Sequence, residues 1–381
     1  MSLRIALLLL ATTGTLPGTA LAQTTAEASP RTAIDTATKL ARWQLARMND
    51  VSHISRAGGE TRNPRAWEQA AFWVGMTALA DHGAPADIGK AILDMGTANQ
   101  WLPAKRPYHA DDLAITQSYL WAAKHGGGAA ALAPTRKAFD FIVDNPPRVT
   151  LAFTVPDKGG YNGTECLKRW CWCDALFMAP PVWLKMAQAT GEQRYADYVH
   201  EQWKKTYDLL YDKEEHLFAR DTAYEDPNKR EPNGKKIFWS RGEGWVMAGL
   251  AKVLDLTPKN DPNRQFYVQQ LQEMSAKLAS IQDENGEWHA GLLDPQAWPL
   301  AETSGSALFV FGMAAIGLFA RATLFADHSL RPRSSQAEGV ASTMRFGMAS
   351  IRPIAKKVVQ PTCIEGMAAK RFAVTSPVSE K

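Results

Sequence analysis

The chain has 381 residues, of which 45% are hydrophobic and 22% charged, with a formal net charge of +4. That excess is confined to one end. Residues 319–381 hold ten Lys/Arg against four Asp/Glu, so the other 318 residues sum to −2. A chain without a basic body or a nucleic-acid motif is not a nucleic-acid binder, and its length predicts two domains or one large closed architecture.

Residues 1–4 are short and basic, residues 5–10 are apolar, and Ala20-Leu21-Ala22 is a small-residue cleavage pattern. This predicts a signal peptide over 1–22, cut before Gln23, and an exported protein, periplasmic or secreted. The apolar stretch is too short to span a bilayer, so no membrane association is expected after cleavage.

From there the apolar residues recur at helical spacing, and alternating strands are rare. The spacing predicts helices over 33–48, 67–81, 87–97, 113–124, 134–144, 174–189, 192–210, 241–255, 264–282 and 304–318. Gly191 sits where a helix commonly ends on glycine. Long polar or aromatic loops separate them at 98–112, 145–173, 211–240 and 283–303, lengths that in a compact domain point to function. No fixed repeat period supports a solenoid. A closed array of helical hairpins over 23–318, its site at the loop-bearing end, fits the pattern. Residues 319–381 form a basic tail in which every one of the Trp and Tyr residues is missing, and this composition predicts poor order.

Cys166, Cys171 and Cys173 crowd together, with Cys363 far away. A zinc site is disfavoured, because Cys-x-Cys is tighter than structural zinc spacing and no paired His follows. A disulfide from Cys166 to Cys171 or to Cys173 suits the crowding, and no cofactor or metal is expected.

The richest segment is Trp170-Cys171-Trp172-Cys173-Asp174, which leads into Ala175-Leu176-Phe177-Met178-Ala179-Pro180-Pro181. One acid among tryptophans at a helix start is either a cap or a catalyst. Aromatic walls favour the second, since they raise a carboxyl pKa and hold a sugar ring. His109-Ala110-Asp111-Asp112 offers a second acid: one of the two caps the helix while the other points inward, with Asp112 favoured for the catalytic place in the pocket and Asp111 counted among the substrate-binding residues. His109 is open to three roles: general acid, substrate contact or packed loop residue.

In Trp239-Ser240-Arg241-Gly242-Glu243-Gly244-Trp245, the Arg241 guanidinium suits a uronic acid carboxylate. Trp239 and Trp245 are stacking or wall residues, and Glu243 is a candidate internal partner of Arg241. Arg220, in Leu217-Phe218-Ala219-Arg220-Asp221, is placed at the pocket rim, with Trp172 as a further substrate contact. Glu302-Thr303-Ser304-Gly305-Ser306-Ala307 reads as a capped helix start. Together these motifs point to a carbohydrate enzyme acting on an acidic sugar.

On these motifs the chain resembles glycoside hydrolase family 105, the unsaturated rhamnogalacturonyl hydrolases, over roughly residues 33–318. The resemblance implies an (α/α)6 barrel. It also implies removal of a Δ4,5-unsaturated galacturonyl residue from the non-reducing end of rhamnogalacturonan or pectin oligosaccharides. Asp174 would be the catalytic acid and Asp112 the second pocket acid, with Trp239, Arg241 and Trp245 as substrate contacts. An unsaturated glucuronyl hydrolase acting on glycosaminoglycan-like fragments, or a non-catalytic glycan-binding protein, would use the same residues. The barrel needs twelve helices where ten are read, so its last hairpin would fall in the divergent tail.

Overall fold

The computed structural model describes residues 29–49, 63–158 and 160–326. Helices α1 (Pro30–Leu45), α2 (Trp67–Asp81) and α3 (Ala86–Ala98) come first. Two short helices follow in line, α4 (Ala110–Leu113) and α5 (Thr116–Ala122), then α6 (Gly128–Asp144). A second interrupted pair is α7 (Ala175–Met178) and α8 (Pro180–Thr190), followed by α9 (Gln193–Leu210). The rest are α10 (Ser240–Leu256), α11 (Arg264–Ser280) and α12 (Thr303–Ala326).

The sequence sorts these helices into two layers. A helix with apolar residues on every side must be surrounded by protein, whereas a one-sided stripe suits the outside. All seven residues of α5 are buried, and α10 is buried almost without break from Ser240 to Leu254. In α9 only one stripe is buried, through Tyr195, Val199, Trp203, Thr206 and Leu210. Helices α2, α4/α5, α7/α8, α10 and α12 pack in succession, and α1, α3, α6, α9 and α11 lie against them from outside.

This is the (α/α)6 order, with five inner–outer pairs among the described residues. Helix α12 runs on to Ala326, past the boundary expected at 318. The signal peptide and most of the tail, with the expected last hairpin, lie outside the described residues. No helix among them is long and apolar enough to cross a membrane.

Close packing of the inner ring depends on glycine. A Cβ on Gly249 of α10 would sit 2.3 Å from the Leu176 carbonyl oxygen of α7, so only a bare backbone fits. The break between α7 and α8 has an equally local cause. Pro180 and Pro181 have no N–H to continue the helical ladder, and the Gln117 amide of buried α5 donates instead to Phe177 O at 3.1 Å and Met178 O at 3.3 Å. Among the described residues, strand structure is limited to isolated bridges and a hairpin pairing β1 (Tyr211–Asp212) with β2 (Leu217–Phe218). Gly191 ends α8 in the left-handed region at φ 75°.

Candidate active site

Four of the motifs singled out by sequence lie at the N-terminal ends of inner helices. His109 and Asp111 begin α4, Asp174 begins α7, Trp239 and Arg241 begin α10, and Glu302 begins α12. The long loops leave from this same end. Helix N-termini favour negative charge, so a ring of them suits both carboxylates and an anionic ligand.

Asp174 is the N-cap residue of α7, yet its side chain makes no capping bond. The buried Cys173 thiol donates to its Oδ2 at 3.4 Å, and burial together with the Asp174 charge keeps that thiol protonated. The segment 172–173 runs antiparallel to 220–221. Trp172 bridges Asp221, and Cys173 N donates to Arg220 O at 2.9 Å. Arg220 is thereby set beside the acid. Its guanidinium pairs with the fully buried Asp221 and lies over Phe153 and Tyr161, 5.4 and 5.8 Å from the ring centroids. Burial alone would weaken its charge, but Asp174 and Asp221 outweigh that and raise its pKa.

The adjacent acids of α4 have different surroundings. Asp112 is committed to the loop before the helix. It accepts from Arg106 N at 2.7 Å, from its Nε at 3.1 Å and from its Nη2 at 2.6 Å. Asp111 is the one within electrostatic reach of Asp174. Burial, then the charge of Asp174, push its carboxyl up to about 8. Asp112, expected as the second catalytic acid, is thus held by Arg106, while Asp111, expected as a cap or substrate contact, lies within the field of Asp174. Neighbouring helical residues point about 100° apart, and Arg106 holds Asp112 on the far side.

His109 is buried. Its Nδ1 accepts from Asp111 N at 3.3 Å and its ring lies 4.9 Å from that of Trp172. Burial and then Arg106 lower its pKa to about 4, so at neutral pH it is an uncharged cap that supports α4.

The Arg241 guanidinium carbon lies over the Trp239 ring, 4.3 Å from its centroid, and Nη1 is 3.8 Å from Glu302 Oε1. Glu302 is occupied as the cap of α12 through Ser304 Oγ and Gly305 N. Arg241 thus keeps a cationic edge for a ligand. Glu243 is not its partner. That carboxyl is fully buried, accepts from Phe218 N at 2.8 Å and has its pKa driven well up by burial. Trp245 is a buried wall, packed edge-on against Trp67 at 6.2 Å and against Phe177 at 4.7 Å. Trp172 is also buried, so neither offers an open stacking face. Trp239 is only partly buried, with Arg241 over its ring.

Residues not singled out by sequence complete the site. Phe153 and Tyr161 come from the long loop before α7, and the free Cys173 touches the acid. Phe153 N donates to Thr222 Oγ1 at 2.7 Å, pinning the loop over Arg220. The disulfide joins Cys166 to Cys171, which resolves the open pairing, and Cys173 is free. No group of three potential metal ligands assembles among the described residues.

Comparison with known proteins shows the family and the fold. The model of Glycosyl Hydrolase Family 88 matches residues 36–325. An unsaturated 3S-rhamnoglycuronyl hydrolase of Alteromonas sp. (strain LOR) is 34% identical over 279 residues, covering 72% of this chain and 67% of the relative. An enzyme of the same name from Formosa agariphila is 36% identical over 257 residues, covering 66% and 67%. A solved structure from Salmonella enterica, described as a possible member of the GH105 family, superposes with a TM-score of 0.63. It is 19% identical and covers 92% of this chain and 88% of its own.

The fold and site define a glycoside hydrolase of the (α/α)6 barrel class. Within that class the chain belongs to glycosyl hydrolase family 88.

Proposed function

We propose that the protein removes a Δ4,5-unsaturated uronyl residue from the non-reducing end of an oligosaccharide by acid-catalysed hydration of its enol ether. The observation that carries this is the pair Asp111–Asp174. Two carboxyl groups within each other's field, one pushed up to about 8, hold a proton at neutral pH that an isolated acid would have lost. Asp174 delivers it to C4 of the sugar. As a carboxylate, Asp174 then draws a proton from the water that attacks C5, which returns the pair to its starting state. The hemiketal so formed opens and the aglycone leaves. The Arg241 guanidinium, held over the Trp239 ring, receives the uronyl carboxylate.

The C4=C5 double bond makes both carbons planar, so unsaturated galacturonyl and glucuronyl residues are the same sugar. Discrimination therefore rests on the neighbouring sugar and the linkage. The 3S-rhamnoglycuronyl names of the relatives favour a rhamnose neighbour, sulfated or not. Rhamnogalacturonan-derived disaccharides and glycosaminoglycan-like fragments then form the comparison panel. The test is loss of the enol-ether ultraviolet absorbance on this panel, with wild type and Asp174→Asn side by side. Loss on a rhamnose-linked uronide with wild type alone is the expected result. Equal activity in the variant removes Asp174 from the chemistry, and sugar binding without turnover by wild type supports a glycan-binding protein instead.

We also propose that the protein works outside the cytoplasm, after cleavage before Gln23. The Cys166–Cys171 disulfide supports this, since such bonds persist in oxidising compartments. Cell fractionation with N-terminal sequencing tests it, and a full-length cytoplasmic product would contradict it.

A further inference from the structure

Asp174 stands at the N-cap of α7, but its own backbone is already helical, at φ −58° and ψ −31°. A capping side chain works from an extended residue, so this carboxylate does not turn back onto the helix, and it makes no capping bond. Among the described residues one hydrogen bond reaches it, from the Cys173 thiol to Oδ2 at 3.4 Å. Oδ1 accepts none, and the residue is only partly buried.

The thiol that makes this bond is itself fixed on several sides. Cys173 is buried, and its N–H donates to Arg220 O at 2.9 Å. Its sulfur is seated against the first turn of α10. A Cβ on Gly242 would lie 3.0 Å from that sulfur and 2.9 Å from Cε3 of Trp239, so only a bare backbone fits there. The sulfur therefore sits where the acid of α7 meets the tryptophan that carries Arg241. A side chain locked by packing in this way can fix the orientation of a neighbour. Burial first, and then the Asp174 charge, keep the thiol protonated, so it stays a donor.

We propose that Cys173 is a positioning residue, whose thiol holds Oδ2 of Asp174 and so leaves Oδ1 as the oxygen that gives a proton to C4 and takes one back from water. The inference rests on the function proposed above and deepens it. No proton leaves the sulfur in this scheme; the thiol only donates a hydrogen bond. The competing role is that of a small apolar filler, common for a free buried cysteine. A filler needs volume and no donor, whereas a positioning residue needs the donor. Serine keeps a donor at this place and alanine removes it. That difference separates the two roles.

The experiment compares Cys173→Ser and Cys173→Ala with wild type on the unsaturated uronyl–rhamnose substrate, measuring kcat, KM and melting temperature, with all kinetics run below every melting transition. Loss of a weak donor from a charged acceptor predicts a fall of about fivefold in kcat for Cys173→Ala, with KM within about twofold of wild type. Cys173→Ser should recover most of that loss, although a buried hydroxyl is the poorer filler. Wild-type kcat in Cys173→Ala, or a Cys173→Ser variant no faster than Cys173→Ala, would overturn the proposal and leave Cys173 as a filler. Asp174→Asn run on the same substrate keeps the two claims apart. If that variant is inactive while Cys173→Ala is normal, only the role of Cys173 fails; if Asp174→Asn is as active as wild type, the function proposed above fails and this inference falls with it.

Discussion

The backbone N–H of Cys173 donates to the carbonyl of Arg220 at 2.9 Å, and this bond sets the acid and the cation beside it in one register. Asp174 follows Cys173 directly, and Asp221, the partner of Arg220, follows on the other segment. Neither side chain can shift along its strand without breaking the pairing of Trp172 with Asp221.

Arg220→Gln tests the cost of that arrangement. Asp221 is fully buried, so removing its cation leaves an uncompensated buried charge. Breaking such a pair costs about 3–5 kcal/mol. Denaturant unfolding should show a loss of that order, and Arg220→Gln with Asp221→Asn should recover part of it. A single variant as stable as wild type would contradict the buried pair.

The Asp111 carboxyl sets a pH dependence whose sign can be worked out. Its folded pKa of about 8 lies above the ordinary 3.8, so the folded state keeps a proton that the unfolded chain releases. Stability therefore falls as pH rises through that interval. Activity should fall above about pH 8 as the pair loses its proton. Asp111→Asn should flatten the stability profile over the same range. An unchanged profile in that variant would show that the raised carboxyl is not Asp111.

Asp112→Asn should behave differently from Asp111→Asn. Its bonds to Arg106 hold the loop before α4, and weakening a charge-assisted pair costs about 2 kcal/mol. Stability should drop while kcat stays within a few-fold of wild type. A fully stable but inactive Asp112→Asn would return this residue to the chemistry.

Gly249→Ala probes the contact between α10 and α7. The added methyl would meet the Leu176 carbonyl oxygen at 2.3 Å, a backbone atom with little freedom to move. Overpacking of this kind costs about 1–3 kcal/mol. Thermal unfolding should reveal it, and a neutral result would mean the two helices are less closely held.

Much of the architecture is legible in the sequence because helical periodicity survives in a barrel. The stripe of α9 and the all-round burial of α10 differ in their residues before they differ in space. The motif ends were legible too, because Asp174 and Arg241 stand among aromatics at helix starts. What sequence could not provide is direction. Asp111 and Asp112 are adjacent acids, and the choice between them depends on Arg106 six residues upstream. Trp245 looked as available as Trp239 until Trp67 of α2 covered it. Tyr161 lies in a loop with no periodicity, where only the placement of Arg220 reveals it.

The most direct test of the central claim is the reaction run in D2O, followed by early-time NMR of the released sugar. Hydration of the enol ether predicts one solvent deuteron on C4, with the double bond gone and a carbonyl at C5. Release of a uronyl sugar that still carries its C4=C5 double bond would contradict it, because the bond would then have been cut by attack at the anomeric carbon.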